Sequence, residues 1–485
     1  MAKFDTRVQE LRHDVLVSVA KHIYAGDLED TILDIPKEIV KGPKPTMRCC
    51  IYKERAIVED RIKLSLHSSF DDTHVINVIE TACDECPLGG YTVTDECRGC
   101  IAHRCYSACP KKCISFDKNL QAHINKEECV NCGMCAKNCP YGAISFKTRP
   151  CEKACKQKAI SAGEEGAAKI NYDKCIECGS CVYMCPFGAI VDESYIRQVI
   201  KMIQESENNT KYKVYALIAP SIGTNFYGVK TGQVTTALKE LGFFHTVEAA
   251  LGADYVALEE AKELNEMETL TSSCCPAFVS YIRKFYPTLI KNISHTFSPM
   301  AMMGKILKEY DPTCKVVFIG PCTAKKAEVR IPQVRPYIDS VLTFEELQAL
   351  IDAKEIDMSK LEETPFATGS KFGRGFAKCG GLTSAVNQAL IENESNVVAK
   401  GIVCDGIDNI KLILNKLKIN KCEFNFIEGM ACEGGCIGGP CNLTHEMRDK
   451  IMADKFTNTA ESGTITEAIE VSEKTVNALK DLKKI

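Results

Sequence analysis

Residues 129–140 read CVNCGMCAKNCP, and residues 175–186 read CIECGSCVYMCP. Both follow the pattern C-x2-C-x2-C-x3-C-P and continue with an aromatic residue and Gly-Ala-Ile, so the chain contains an internal repeat. Three closely spaced thiolates can hold three corners of a [4Fe–4S] cube, while the cysteine before proline ligates a neighbouring cube. Zinc instead prefers two separated C-x2-C pairs that close one tetrahedron. The repeat therefore predicts tandem iron–sulfur cubes in a ferredoxin-like α+β segment.

Cysteine is the outlier of the composition, with 29 in 485 residues and 17 of those between Cys83 and Cys185. The charged N-terminus has neither an apolar signal core nor a twin-arginine pair, and no apolar run reaches the ~18 residues of a membrane span. We therefore expect a cytoplasmic protein without a membrane segment, whose thiols stay reduced and bind metal. The net charge of −4 gives no reason to expect a nucleic-acid partner.

The cysteines upstream of the first repeat complete a ferredoxin-type pair of motifs; they are Cys97, Cys100, Cys105 and Cys109. They depart from the pattern because four residues separate Cys100 from Cys105. Crossed pairing assigns the first cube to Cys97, Cys100, Cys105 and Cys139. It assigns the second cube to Cys109, Cys129, Cys132 and Cys135. The third cube takes Cys175, Cys178 and Cys181, with Cys155 as the fourth ligand, because PCEKACKQKAI is similar to a half-motif that has lost its leading cysteines.

The remaining cysteines of this segment leave alternatives open. They are Cys83, Cys86, Cys113, Cys151 and Cys185. Four of them could hold a fourth cube, or Cys83 and Cys86 could belong to a small metal site. The sequence assigns no role to Cys49, Cys50 or Cys441. Residues 97–185 carry an excess of six positive charges, which favours docking of an acidic partner only weakly because anionic cubes offset it.

The pattern changes after the polar residues 201–213, which we interpret as a linker. VYALIAP, KVVFIGPC and GIVCDGI are short apolar runs typical of strands, and TTALKELGF, FVSYIRKFYP and FEELQALID are amphipathic helical segments between them. This alternation predicts an α/β domain with mixed or mostly parallel sheets. We predict a mainly helical N-terminal region at 1–80, ferredoxin-like domains at 83–200, the α/β domain at 212–445 and a helical tail at 446–485.

Three cysteine-containing loops interrupt the α/β domain. They read TSSCCP at 271–276, GPCTAKKAE at 320–328 and EGMACEGGC at 428–436. One Cys-Cys-Pro could be core packing, since a buried cysteine behaves as a small hydrophobe. Together, however, the loops resemble the three signature loops of [FeFe]-hydrogenases, and the resemblance covers about residues 97–445.

The resemblance implies an enzyme that interconverts protons and molecular hydrogen. It implies an H-cluster, which is a [4Fe–4S] cube joined through one thiolate to a diiron centre with CO, cyanide and dithiolate amine ligands. Matched by motif, the cube ligands would be Cys275, Cys322, Cys432 and Cys436, with Cys436 as the bridging thiolate. Hydrogenase maturases would load the diiron centre, and ferredoxin or a similar one-electron carrier would exchange electrons.

The resemblance also implies roles for residues around the cofactor. Cys274 would donate protons, and Glu260, Ser294 and Glu263 would relay them; without the resemblance, the two glutamates would be interpreted as a solvated helix face. Lys325 would bind one cyanide ligand. The segment that faces the other cyanide would be Ala219, Pro220 and Ser221, and Met430 would pack near the bridging CO.

Some positions depart from the usual family pattern. Phe278 replaces a tryptophan, Gly320 a methionine and Met300 a glutamine, and the third loop ends in Gly438-Gly439-Pro440-Cys441. These changes resemble the group B branch of anaerobic bacteria. Two other functions remain open: a hydrogen or redox sensor built on the same cofactor, and an iron–sulfur assembly factor of related fold. Sensor branches commonly lack the cysteine found here at 274, and the assembly branch lacks the full set of loops. No G-x-G-x-x-G motif supports direct use of NADH.

Overall fold

The computed structural model describes residues 3–66, 74–87, 89–365 and 368–482. Its N-terminal helices are α1 (Arg7–Ala25), α2 (Leu28–Thr31), α3 (Ile35–Ile39) and α4 (Ile51–Ser65). Helix α1 begins at a capping box, in which Thr6 and Gln9 satisfy each other's backbone N–H groups, and ends at Gly26 in the left-handed conformation. The expected helical region at 1–80 ends early, because Ile76–Val78 is a strand that pairs with a distant part of the chain.

Residues 76–192 form two ferredoxin-like units. Their strands are β1 (Ile76–Val78), β2 (Gly90–Val93), β3 (Ile114–Phe116), β4 (Ala122–Ile124), β5 (Ile144–Lys147), β6 (Ile160–Ala162), β7 (Ala168–Ile170) and β8 (Ile190–Asp192). Their helices are α5 (Arg104–Ser107), α6 (Met134–Asn138), α7 (Pro150–Ala154) and α8 (Ser180–Met184). In the first unit β2 pairs with β5 and β3 with β4; in the second, β1 pairs with β8 and β6 with β7, all antiparallel. The first unit is thus inserted between β1 and the rest of the second unit.

Helix α9 (Ile196–Glu205) leads into the α/β domain. The interpretation of 201–213 as a linker is wrong at its start, because Met202 and Ile203 are buried on the helix. They continue the apolar spacing of Ile196, Val199 and Ile200, which favours helix packing over an exposed connection. The polar residues that follow Glu205 form turns.

Two parallel sheets organise the α/β domain, as predicted. One has the order β10 (His245–Glu248), β9 (Val214–Ile218), β12 (Lys315–Gly320), β13 (Ser340–Thr343). The other has the order β11 (Leu270–Thr271), β15 (Phe426–Met430), β14 (Gly401–Asp405). In parallel sheets the carboxyl ends of the strands open onto the same edge, where loops build binding sites. The loops after β9, β11, β12 and β15 are the ones that carry the site residues expected from the sequence.

Helices cover these sheets. They are α10 (Thr231–Leu241), α11 (Ala249–Glu266), α12 (Pro276–Phe285), α13 (Pro299–Tyr310), α14 (Thr323–Glu328), α15 (Phe344–Ala353), α16 (Lys371–Gly375), α17 (Gly381–Glu392), α18 (Ile407–Lys418), α19 (Asp449–Asn458) and α20 (Ile465–Leu482). Helix α11 packs against α13, α16 and α17, and α20 covers α11 and α17. Among the described residues, no helix is long and apolar enough to cross a membrane.

A buried ion network joins the three parts of the chain. Lys326 on α14 is fully buried and donates to Asp192 (2.8 Å), to the Glu193 carbonyl (2.6 Å) and to Glu346 on α15 (2.9 Å). Arg12 on α1 reaches the same Asp192 carboxylate at 2.5 Å. Burial lowers the pKa of Lys326, but the carboxylates outweigh this effect and the pKa is raised. Lys326 therefore remains charged and holds β8 against the α/β domain.

Replacing Lys326 by alanine is expected to destabilise the protein by about 3–5 kcal/mol, because the buried Glu346 carboxylate loses its cation and Asp192 keeps only Arg12. A matched control is Lys262→Ala, since Lys262 pairs with Glu259 on the exposed face of α11 and such pairs contribute about 0–1 kcal/mol. Thermal unfolding of both variants at the same cluster content measures the difference. Equal midpoints would show that the network contributes little stability.

Candidate metal centre

The loops at the carboxyl ends of the strands enclose one cavity of about 90 Å³. Its lining is mostly apolar and includes five of the cysteines in the α/β domain. The residues expected from the sequence that line it are Ala219, Pro220, Cys274, Cys275, Lys325, Cys322, Met430, Cys432 and Cys436. The structure therefore brings together residues that lie more than 200 positions apart in the chain.

Backbone geometry places the four candidate ligands. Cys275 directly precedes α12, Cys322 directly precedes α14, and Cys436 begins a 3-10 turn at Cys436–Gly438. Between Cys432 and Cys436 the chain turns back through Gly434 and Gly435, whose φ angles of 80° and 91° disfavour other residues. A Cβ on Gly435 would also lie 2.9 Å from the Ala377 carbonyl oxygen.

The chemistry of this donor set fits an iron–sulfur group. Burial raises the pKa of all four thiols, to about 12 for Cys322 and Cys436. Thiolates are the form of cysteine that binds metal, so a bound iron–sulfur group would stabilise the deprotonated form of these thiols. Four cysteines around one cavity match the ligand number of a [4Fe–4S] cube.

Lys325 is the cation of the cavity. Its ammonium donates to Glu328 (2.6 Å), to the Ser298 hydroxyl (2.9 Å) and to the Cys274 carbonyl (3.4 Å). Burial lowers its pKa, but the ion pair with Glu328 outweighs burial and the pKa is raised. A protonated amine therefore lines an otherwise apolar cavity and is held in place by three acceptors, which suits the binding of a small anionic ligand.

A series of polar groups leads from the cavity to the surface. Ser273, next to Cys274, donates its backbone N–H (3.0 Å) and its hydroxyl (3.2 Å) to Glu260 on α11. Burial raises the pKa of Glu260 to about 7, against the opposing hydrogen bonds from Ser273 and Ser294. One turn along α11, Glu263 accepts from the backbone N–H of His295 (3.0 Å), whose side chain is 79% exposed. The expected relay residues are therefore neighbours, and they run from the cavity wall to solvent.

The other residues expected to contact cyanide and CO are also at the cavity. Ala219 and Pro220 line it after β9, and Met430 lines it at the end of β15. Ser221 is fully buried just behind them, and its hydroxyl has no hydrogen-bond partner among the described residues. An unpartnered buried hydroxyl is costly, so this position fits a polar ligand that extends past Pro220.

The structure explains one departure from the family pattern and shows residues that the sequence analysis missed. A Cβ on Gly320 would lie 2.7 Å from the Phe318 ring, which itself lines the cavity. Phe318 therefore takes space that a methionine at 320 would need.

Phe376 and Ala377, after α16, also line the cavity. The glycine was the only local signal for Phe318, and nothing in the sequence around Phe376 points to the site.

The cysteines of the first ferredoxin-like unit are grouped as crossed pairing predicts. One small cavity is lined by Cys97, Cys100, Cys105 and Cys139, and another by Cys109, Cys129, Cys132, Cys135 and also Cys113. The Cys113 sulfur lies 3.5 Å from that of Cys109. Cys113 therefore belongs to the second of these groups and is remote from the other unassigned cysteines of the segment.

The cysteine loop of the second unit contacts the α/β domain beside the main cavity. Cys178 packs in the same apolar cluster as Cys275 and Cys322. Thr323, next to Cys322, donates to the Glu177 carbonyl at 2.7 Å, and Lys284 donates to the Cys175 carbonyl at 2.6 Å. Cys155 packs in the same apolar cluster as Cys175 and Cys181, which places the expected fourth ligand beside them.

Comparison with known proteins identifies the domain around the main cavity. Residues 212–440 match the family described as the iron only hydrogenase large subunit, C-terminal domain. The α/β domain therefore belongs to the [FeFe]-hydrogenase family. Residues 122–145 and 168–191 match the 4Fe-4S binding domain, so the hydrogenase domain follows an iron–sulfur segment, as the repeat predicted.

Relatives within this family differ in function. Iron hydrogenase 1 of Clostridium pasteurianum is 29% identical over 51% of this chain and 52% of its own length. Cytosolic iron-sulfur assembly component 3 of Rattus norvegicus is 25% identical over 43% of this chain and 56% of its own. The chain thus matches about half the length of each. A solved [FeFe]-hydrogenase HydA1 variant from Chlamydomonas reinhardtii aligns with 58% of this chain and 93% of that chain, with a TM-score of 0.47 and 20% identity.

Proposed function

We propose that this hydrogenase-family protein catalyses 2H⁺ + 2e⁻ ⇌ H₂ at an H-cluster in the main cavity. The observation that carries the proposal is the convergence of four cysteines, the spare Cys274 and the Lys325 ammonium on one apolar cavity. The four cysteines would hold the cube, and Cys436 would bridge to the diiron centre. When bound, that centre supplies the site where protons and electrons combine to hydrogen.

The chain's own residues would control the approach of protons. Cys274 lines the cavity without being needed as a ligand, and Glu260, Ser294 and Glu263 continue outward from it. A carboxyl group with a pKa of about 7 can accept and release protons near neutral pH, which suits Glu260 to this task. The apolar wall that includes Phe318 and Phe376 would keep bulk water away from the reacting atoms.

Electrons would enter through the ferredoxin-like units. The group that includes Cys178 packs against the cavity cysteines, so its cube would be the final step before the H-cluster. Ferredoxin or a similar one-electron carrier would dock on the exposed units, and hydrogenase maturases would load the diiron centre. The substitutions at 278, 300, 320 and 441 support a place in the group B branch.

Infrared spectroscopy and a hydrogen assay on the same matured protein test this function. CO and cyanide bands together with hydrogen evolution from reduced ferredoxin are expected, since these diatomic ligands mark a loaded diiron centre. Bands without turnover would favour the hydrogen or redox sensor. Protein co-produced with the maturases that shows neither bands nor turnover would contradict the proposal and favour an assembly role. Cys422→Ala, a half-buried cysteine outside the cavity, is the matched control.

A further inference from the structure

We propose that Cys83, Cys86, Cys151 and Cys185 hold a fourth accessory [4Fe–4S] cube. This inference rests on the iron–sulfur part of the proposed function and is independent of hydrogen turnover. It also corrects the expectation that the half-motif around Cys155 has lost its leading cysteines. The leading cysteines are present, but they precede the inserted first unit.

Chain topology gives the first argument. In the first unit the order is β2, Cys97-x2-Cys100, Cys105-x3-Cys109, the β3–β4 hairpin, the second cysteine motif and β5. The second unit has the same order: β1, Cys83-x2-Cys86, Cys151-x3-Cys155, the β6–β7 hairpin, the second motif and β8. Residues 87–150, which include the inserted first unit, separate Cys86 from Cys151. Crossed pairing within this unit then gives the proposed ligand set.

Contacts give the second argument. Cys83 accepts a hydrogen bond from the backbone N–H of Ala168 on β7 at 3.3 Å, and Cys185 accepts one from Ala189 at 3.2 Å. Cys83, Cys151 and Cys185 pack in one apolar cluster with the strands of the second unit. Cys86 follows Cys83 by three residues, so the chain keeps it close to this cluster. Hydrogen bonds to sulfur of this kind are typical of cube ligands.

Charge gives the third argument. Two buried guanidinium groups, Arg61 and Arg149, lie close to these cysteines, and each has N–H groups without a hydrogen-bond acceptor among the described residues. Arg61 donates to the Gly188 carbonyl at 2.7 Å, three residues after Cys185, and Arg149 lies two residues before Cys151. A third arginine, Arg48, pairs with Asp84 at 3.5 Å. Arginine stays charged, so buried donors without acceptors indicate an anionic group in their midst.

A cube supplies such an anion. Four thiolates on an oxidised cube leave a net charge of about −2. By contrast, no lysine or arginine is buried among the described residues of 90–147, which form the first unit. The basic surroundings favour the reduced, more negative state of the proposed cube. The cubes of the first unit lack this effect, so the proposed cube should be reduced more easily than they are. Since Cys151 and Cys181 pack in the same apolar cluster, this cube would stand next to the one beside the main cavity.

Iron content tests the proposal. Protein made without the maturases and reconstituted anaerobically should contain about 20 irons per chain, four for each of five cubes, whereas three accessory cubes would give about 16. In the double variant Cys83→Ala and Cys86→Ala, the iron content should fall by about four atoms per chain. The number of spins integrated in the reduced protein should fall by the contribution of one cube. Cys422→Ala is the matched control, because Cys422 is a half-buried cysteine outside the ferredoxin-like units, and it should keep the full count.

Either of two results would overturn the proposal. One is a fully reconstituted wild-type protein with only about 16 irons per chain, and the other is a double variant that keeps all of its iron. The wild-type count decides the question even where the variant fails to fold. Failure of the proposed hydrogenase function would be visible separately, as the absence of CO and cyanide bands from matured protein that still contains all five cubes.

Discussion

Cys274→Ala is expected to lower the rate of hydrogen turnover by about 10²–10⁴, the usual contribution of positioned proton transfer. Five cysteines line the main cavity, and four of them complete the ligand set of the proposed cube. Cys274 is therefore the thiol that remains for proton transfer at the cavity wall. Its chain neighbour Ser273 binds Glu260, so the variant removes the first of the aligned polar groups and leaves the outer ones in place.

The infrared bands of the same sample distinguish proton delivery from cofactor assembly. Cys274→Ala should keep the CO and cyanide bands, whereas Cys436→Ala should lose bands and activity together. Cys274→Asp should recover part of the rate, because a carboxylate can also relay a proton. Near-normal turnover in Cys274→Ala would show that protons enter by another route, and the surroundings of Met300 would then be examined first.

Lys325→Ala is expected to abolish retention of the diiron centre while leaving the cubes intact. The ammonium lines the cavity and is oriented by Glu328, Ser298 and the Cys274 carbonyl, so it can pair with an anionic ligand without rearrangement. Loss of the CO and cyanide bands at unchanged visible absorption of the iron–sulfur cubes measures the effect. Normal bands and activity would contradict the assignment of this lysine.

A second variant separates binding from stability. Lys325→Ala alone leaves the Glu328 carboxylate buried without its cation, which is itself destabilising. The double variant Lys325→Met and Glu328→Gln removes both charges at similar volume. If it is as stable as the wild type and still lacks the bands, the lysine acts on the cofactor. Recovery of the bands in the double variant would instead assign the loss to the unpaired carboxylate.

The sequence by itself determined the family, the tandem iron–sulfur motifs and the α/β class of the larger domain. Each of these depends on short-range rules. Cysteine spacing reflects how a few residues wrap around one cube, and strand–helix alternation reflects local hydrophobic periodicity. The three signature loops are likewise contiguous, so their residues could be assigned before any contact was known.

Only the tertiary structure decided which distant residues meet. The pairing of Ile76–Val78 with β8 brings Cys83 and Cys86 to Cys185 across the inserted unit, and no local spacing signals that pairing. Phe318 enters the cavity because Gly320 leaves room for its ring, and Lys326 fastens β8 to the α/β domain through carboxylates from separate elements. These contacts depend on burial and charge compensation between segments that are far apart in the chain. The periodicity of side chains along one segment does not encode such contacts.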